Sequence, residues 1–279
     1  MNKIIAAVDA LKPSMSTMTY AIEAAKANQA HLVVVLLDDP GYTSYRVYDL
    51  ITAEGGVIGS AKQHMDKKDA KTRAQSASKF EEACVQAKIE YTIHHDRGFA
   101  LQDLVHETTF ADLLIIDMRE TLEHNTQKPP TDFIRELLIK TNCPVLIVPH
   151  LYRAIEQVVF LYDGESASVR ALKSFHYAMP ALIPFKMKTL FVNWTGVSNH
   201  VPDDHLLKEW MKRHHESVEY ITLHGDPEEE IVNFLRQQKE TSLVVLGAYR
   251  RSRLSRWLKP SKADLLMREL RSVLFIAPR

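Results

Sequence analysis

Arg250, Arg251, Arg253, Arg256 and Lys259 place five cations and no acid between Gly247 and Ser261. Guanidinium forks donate well to phosphate oxygens, so this stretch reads either as an anion-binding loop or as a solvated basic loop. Pro260 offers no N–H, yet its fixed φ suits a position beside a helix start. Trp257 reads as a packing anchor. Two aspartates, Asp9 and Asp163, close short apolar runs and open the turns Asp9-Ala10-Leu11-Lys12-Pro13-Ser14 and Asp163-Gly164-Glu165-Ser166. A carboxylate in that position can accept ribose hydroxyls or help hold a divalent cation. Its commonplace role is to cap a turn, with Ser166 capping the helix that follows.

Other candidate chemistry reduces to structure. His94-His95 and His214-His215 look like metal pairs. Neighbours on a strand point to opposite faces, so His94 and His95 do not share an ion. His214-His215 falls at a helix end, where cationic side chains suit the dipole. No third ligand at metal-site spacing joins either pair, so no metal is expected. Asp226-Pro227-Glu228-Glu229-Glu230 is a capped, acidic helix start. Ser14, Ser16 and Ser166 stand in no nucleophile-elbow sequence. Neither a Walker-type phosphate loop nor a Gly-x-Gly-x-x-Gly fingerprint occurs. No catalytic residue is assigned, and the chain is expected not to be an enzyme.

The elements that must carry these residues follow from hydropathy. Residues 3–8, 31–37, 90–94, 113–116 and 145–148 are short, nearly continuous apolar runs, the pattern of strands covered on both faces. Helical patterns at 16–28, 67–87, 101–108 and 131–140 separate them. The order then repeats, with strands at 158–162, 189–193, 218–223, 243–246 and 273–276 and helices at 166–178, 204–214, 228–238 and 261–271. Strand–helix alternation implies right-handed crossovers and a parallel, doubly wound sheet. The fourth-strand ends Asp117 and Gly247 lie 130 positions apart, and the first-strand ends Asp9 and Asp163 lie 154 apart. The first half therefore holds about two dozen extra residues, all within 38–88. We read the α/β chain as two tandem doubly wound parallel five-stranded sheets, domains 1–150 and 155–279, rather than one large sheet. The join near 149–156 has no Gly/Ser tract, which implies packed halves. Residues 38–66, with Gly41, Gly55, Gly56 and Gly59 among tyrosines, read as an irregular surface excursion or as a lid.

In open parallel sheets ligands bind beyond the strand carboxyl ends where strand order reverses, and the first and fourth strands flank that point. There the chain resembles the universal stress protein family. Its ATP-binding members carry Gly, two residues, Gly, nine residues, Gly and Ser or Thr between the fourth strand and the last helix. Here Gly247-Ala248-Tyr249-Arg250, nine residues and Pro260-Ser261 keep that spacing, with Arg250 and Pro260 in place of two glycines. Ser261-Lys262-Ala263-Asp264-Leu265-Leu266 resembles the family's last helix. The resemblance implies an adenine nucleotide, ATP with or without Mg²⁺, held by Asp163, Gly164, Gly247, Ala248, Arg250, Ser261 and Lys262. In the first half Asp117-Met118-Arg119-Glu120 and Pro130-Thr131 occupy the equivalent places. Asp117 and Glu120 would set two like charges beside any phosphate, each costing on the order of a kcal/mol. By the same resemblance 143–148 and 273–276 would meet inside one chain as an internal pseudo-dimer, and a homodimer of chains is allowed. The expected function is that of a non-enzymatic stress protein responsive to nucleotide. A nucleotide-free scaffold of the same fold is the alternative, and a slow ATP hydrolase or a phosphoacceptor receiver domain fits less well.

Composition limits the rest. Lys+Arg and Asp+Glu are equal at 35 each, so no global field draws the chain to nucleic acid or an acidic membrane. Cys84 and Cys143 have no partners at metal spacing, which suits a reducing compartment. No leader-like run and no membrane-length apolar run is apparent, so a cytoplasmic location is expected.

Overall fold

The computed structural model describes residues 3–39, 41–46, 58–96, 98–193, 201–247, 262–270 and 272–278. The first half runs β1 (Lys3–Asp9), α1 (Met15–Asn28), β2 (His31–Leu37), α2 (Ile58–Ala87), β3 (Tyr91–Asp96), α3 (Ala100–Thr108), β4 (Leu113–Asp117), α4 (Asp132–Lys140) and β5 (Val145–Val148). The second runs β6 (Gln157–Tyr162), α5 (Ser166–Ala178), a 3-10 turn (Pro180–Leu182), β7 (Lys186–Asn193), α6 (Asp204–His214), β8 (Val218–His224), α7 (Pro227–Arg236), β9 (Ser242–Leu246), α8 (Lys262–Glu269) and β10 (Val273–Ile276).

The strands form one ten-stranded sheet in the order β3-β2-β1-β4-β5-β10-β9-β6-β7-β8. Every neighbouring pair is parallel except β5 with β10, which is antiparallel with Phe275 opposite Leu146 and Leu274 opposite Ile147. The expectation of two five-stranded sheets rather than one is corrected here, while the expected meeting of 143–148 with 273–276 is observed. β5 and β10 are both four-residue, fully buried apolar strands. Left as edges they would present unpaired N–H and C=O groups, and pairing them satisfies both rows at once. Strand order reverses between β1 and β4 and again between β6 and β9, which creates two switch points.

The two sheet faces carry separate cores. One gathers α1, α2, α5 and α6 through residues such as Ala21, Phe80, Phe175 and Met211. The other gathers α3, α4, α7 and α8 through Leu104, Leu137, Ile231 and Leu266. Central strands such as β1 and β9 are buried along their length, which is why their sequences show no alternation. At the edge, β8 is buried nowhere along its length, and exposed residues are interspersed with half-buried ones. The join is docked on α1: Ser16 donates to the Pro149 carbonyl at 2.5 Å, and the Tyr20 hydroxyl donates to the Arg153 carbonyl at 2.6 Å.

Three local readings change. Residues 58–66 are the first turns of α2 and not irregular chain, because Ala, Lys, Gln, Met and Asp without proline propagate a helix. Residues 47–57 of the same excursion lie outside the described residues. Ser166 does not cap α5. Asp163 Oδ1 takes the Glu165 N–H at 3.1 Å, Glu165 becomes the N-cap without its side chain capping the helix, and Ser166 is the first helical residue. Finally, β7 begins at Lys186, three residues earlier than its apolar run implies.

Phe275 is fully buried at the seam, edge-on to Phe175 with ring centroids 5.6 Å apart. Phe275→Ala is expected to cost about 3–5 kcal/mol. Chemical denaturation should show this as one transition at lower denaturant, since the seam belongs to both halves.

Candidate functional site

At the second switch point, between β6 and β9, the backbone packs closely. Gly247 follows β9 directly. A Cβ on it would lie 2.9 Å from the Ala167 carbonyl carbon and 3.0 Å from the Ser168 nitrogen, so only glycine lets β9 end against the first turn of α5. Gly164 sits at φ +81°, and a Cβ there would lie 2.8 Å from Pro202. That residue needs glycine for both its backbone and its neighbour. The Tyr162 hydroxyl donates to the Pro202 carbonyl at 2.8 Å and holds the entry to α6 over this turn.

A cavity of about 260 Å³ opens beyond β6 and β7, lined by Leu161, Asp163, Leu190, Val192, Ile231 and Lys262. Its floor is apolar. Its rim carries one acid and one base, with Lys262 Nζ 3.6 Å from Asp163 Oδ2 and both side chains nearly half exposed. A pair that exposed contributes little stability and is easily exchanged for another partner. The structure thus brings together Asp163 and Lys262, while Gly164 packs on Pro202 and Gly247 on the start of α5. Ala248, Arg250 and Ser261 lie outside the described residues, as do Arg251, Arg253, Arg256, Trp257, Lys259 and Pro260.

The first switch point has the same backbone plan and opposite contents. Asp9 Oδ1 accepts from the Leu11 and Lys12 N–H groups at 2.6 and 3.1 Å, and Asp9 Oδ2 accepts from the Tyr42 hydroxyl at 2.7 Å. Asp117, the counterpart of Gly247, accepts from the Ser14 hydroxyl at 2.8 Å and from His150 Nδ1 at 3.2 Å. Ser14 also caps α1 by accepting the Thr17 N–H at 3.2 Å. Glu120 accepts the Asp9 N–H at 3.3 Å and the Thr121 N–H at 3.1 Å. Thr131 caps α4 by accepting the Ile134 N–H and donates to the Glu120 carbonyl. Tyr42, with Ser44 and Tyr45, is pinned to α2, where Asp69 takes the Ser44 N–H at 2.8 Å and Arg73 reaches the Tyr42 carbonyl at 3.0 Å. The polar groups at this switch point are thus engaged with one another.

Sequence reasoning missed Tyr42 and His150. Each stands 33 positions from its carboxylate partner, Asp9 and Asp117 respectively, and no local pattern signals such a contact. It also set Asp117 and Glu120 as two like charges, which the structure corrects. Burial pushes the Glu120 carboxyl up to about 8, with the Asp9 and Asp117 charges adding to it. The raised value favours the protonated form, which lessens the repulsion among the three carboxyls. Among the described residues no group of three or more His, Cys, Asp or Glu could hold a metal ion. No described helix is long and apolar enough to cross a membrane.

Glu120 makes stability fall as pH rises. Between the ordinary value of 4.5 and about 8 the folded chain holds a proton that the unfolded chain has lost. Glu120→Gln removes this linkage and one accepted hydrogen bond, the latter costing about 1 kcal/mol. The ratio of wild-type to variant unfolding constants is expected to be level below pH 4.5. It should rise up to about tenfold per pH unit toward pH 8, as read by urea titration across pH.

The universal stress protein family matches residues 1–149 of the chain. By structure, a universal stress protein from Archaeoglobus fulgidus DSM 4304 is similar with a TM-score of 0.70 at 14% identity, covering 100% of this chain and 98% of that one. A universal stress protein from Pseudomonas aeruginosa UCBPP-PA14, described as putative, reaches 0.56 at 11% identity, covering 100% and 93%. A functionally unknown protein from Pseudomonas aeruginosa PAO1 reaches 0.58 at 12% identity, covering 100% and 92%. At these identities the likeness is one of fold. No curated protein matches the chain.

Proposed function

The chain belongs to the universal stress protein family, and we propose that it is a non-enzymatic, adenine-nucleotide-responsive member. In this reading it consists of two tandem domains, 1–150 and 155–279, joined as an internal pseudo-dimer across the β5–β10 seam. The observation that carries the proposal is the contrast between the switch points. The second has an apolar cavity beside it with Asp163 and Lys262 at the rim, whereas at the first Asp117, Glu120 and Tyr42 bond to neighbouring groups of the chain.

The apolar cavity beside Leu161, Leu190 and Val192 suits a planar base. At about 260 Å³ it is smaller than the roughly 300–1,000 Å³ typical of drug-sized ligands, so sugar and phosphates lie over its rim. Asp163 accepts ribose hydroxyls there. Its present partner, Lys262, stands at the first turn of α8 and is free to turn toward phosphate. Gly247, Ala248, Arg250 and Ser261 hold the family-motif positions that would meet the phosphates, and Mg²⁺ bound with the nucleotide would offset their charge. The nucleotide supplies binding energy and a signal rather than a reaction. The first half acts as a structural partner, and the chain works in the cytoplasm without nucleic acid or membrane, as a monomer or a homodimer.

A nucleotide-free scaffold is the second reading. The Lys262–Asp163 contact across the cavity mouth favours it, because a rim that closes on itself needs no ligand.

Calorimetric titration of the whole chain with ATP and Mg²⁺ separates the two. Saturable heat and an upward thermal shift are expected. Asp163→Ala should weaken binding about 10- to 100-fold, the worth of hydrogen bonds to a charged group. Gly247→Ala should abolish binding and cost about 1–3 kcal/mol of stability by forcing β9 off α5. Neither heat nor shift at millimolar nucleotide would leave the scaffold reading standing.

A further inference from the structure

The last turn of α5 meets the end of α6 through two histidines. His176 Nδ1 contacts the Leu172 carbonyl at 2.8 Å, and His215 Nδ1 contacts the Ile183 carbonyl at 3.1 Å. Between the rings, His176 Nε2 lies 2.7 Å from His215 Nε2. A carbonyl oxygen only accepts, so each Nδ1 must carry a proton. A neutral imidazole has a single N–H. Two neutral rings so placed would point bare Nε2 lone pairs at each other within hydrogen-bonding distance, which is repulsive. Three hydrogen bonds need three protons, and two neutral rings bring two.

We infer that His176 and His215 hold one extra proton between them, and that this shared proton is a pH-sensitive latch fastening α6 to α5. The surroundings favour one positive charge. Both rings sit at helix C-termini, where the macrodipole is negative. The Trp210 ring lies edge-to-face with His176, centroids 4.8 Å apart at 86°, and its π-system suits a cation. Burial opposes charge on either ring, pushing protonation of His176 down to about 4 and of His215 down too, with neighbouring histidine charges adding to it. The single proton is held against burial by the 2.7 Å Nε2–Nε2 approach, and a second one is opposed by burial and by the first charge together. His214, stacked 4.0 Å from Trp210, is the titratable group facing the pair from α6. The 3-10 turn that presents Ile183 carries none. The latch therefore holds with one proton, repels with two, and loses its central bond with none. Sequence analysis expected His214-His215 to be a simple dipole-favoured pair. His176, 39 positions from His215, turns it into a proton-holding one.

The latch stands independently of the nucleotide reading. It does share α6 with the candidate site, since Pro202, just before α6, packs on Gly164 at the other end.

His215→Gln tests it, because the glutamine amide can donate to a neutral His176 Nε2 and needs no extra proton. The quantity to read is the ratio of wild-type to variant unfolding constants across pH, in which the Glu120 linkage cancels. Around the ordinary histidine value of about 6.5 the signs are distinct. With a shared proton, both proteins take up one proton on unfolding below 6.5 and the ratio stays level. Above 6.5 only the wild type releases one, so the ratio rises about tenfold per pH unit until the shared proton leaves. Two neutral rings would give the reverse, a ratio that climbs as pH falls below 6.5 and is level above it, and that outcome overturns the inference. Should the variant fail to fold, ¹⁵N-histidine spectra of the wild type decide. A scalar coupling between the two Nε2 atoms at pH 7 is expected. Its absence refutes the latch, as does an Nε2 signal that appears only with added Zn²⁺ and disappears with EDTA.

Discussion

The antiparallel pairing of β5 with β10 is the contact on which the rest of the architecture depends. Each is a four-residue apolar strand buried on both faces, and each would otherwise end its own half as an open edge. Joining them extends both cores across the whole molecule. Val148 and Phe275 share one core, and Val145 and Ile276 share the other. The pairing also sets the order of the sheet. Since it is antiparallel and central, the strand order reads the same from either end, and the two switch points fall at corresponding places on either side of it.

Correspondence of backbone has not kept correspondence of chemistry. At the second switch point a glycine ends the fourth strand, and an apolar cavity opens with one exposed ion pair at its rim. At the first, an aspartate ends the fourth strand and three carboxylates gather below solvent. Burying three acids together is costly unless they are hydrogen-bonded or neutralised. The chain does both. Backbone N–H groups, Ser14, Tyr42 and His150 donate to them, and Glu120 keeps its proton. The long α2 has a role in this closure. Asp69 and Arg73 on α2 hold the 42–45 stretch in place, which sets the Tyr42 hydroxyl on Asp9. The extra length of the first half is thus partly spent on holding Tyr42 against Asp9.

Helix α6 links separate features of the second half. Its entry is fastened at Pro202 by the Tyr162 hydroxyl and by close packing on Gly164. Its exit is fastened by His215 on His176. Between them Leu207 and Met211 are buried in the core. The helix is about three turns long, so the β6–α5 turn and the histidine pair contact opposite ends of one element.

What the sequence determined by itself was local and periodic. Continuous apolar runs identified nearly every strand, because a strand covered on both faces needs no polar alternation. The repeated strand–helix order of the two halves marked Asp9, Asp163, Asp117 and Gly247 as strand ends facing the switch points. Asp226 was readable as a cap, and its Oδ1 accepts the Glu228 and Glu229 N–H groups. Tertiary structure decided whatever required two distant segments to meet. The merging of two expected sheets into one depended on edge satisfaction, which no single strand encodes. Glu120 was visible as a charge, but its neutrality arises from burial beside Asp9 and Asp117. Tyr42 on Asp9, His150 on Asp117 and His176 on His215 are pairings of ordinary residues across 33 to 39 positions. Hydropathy and spacing carry no record of such contacts, because hydrogen-bond partners are selected by where the folded backbone sets them and not by their neighbours in the chain.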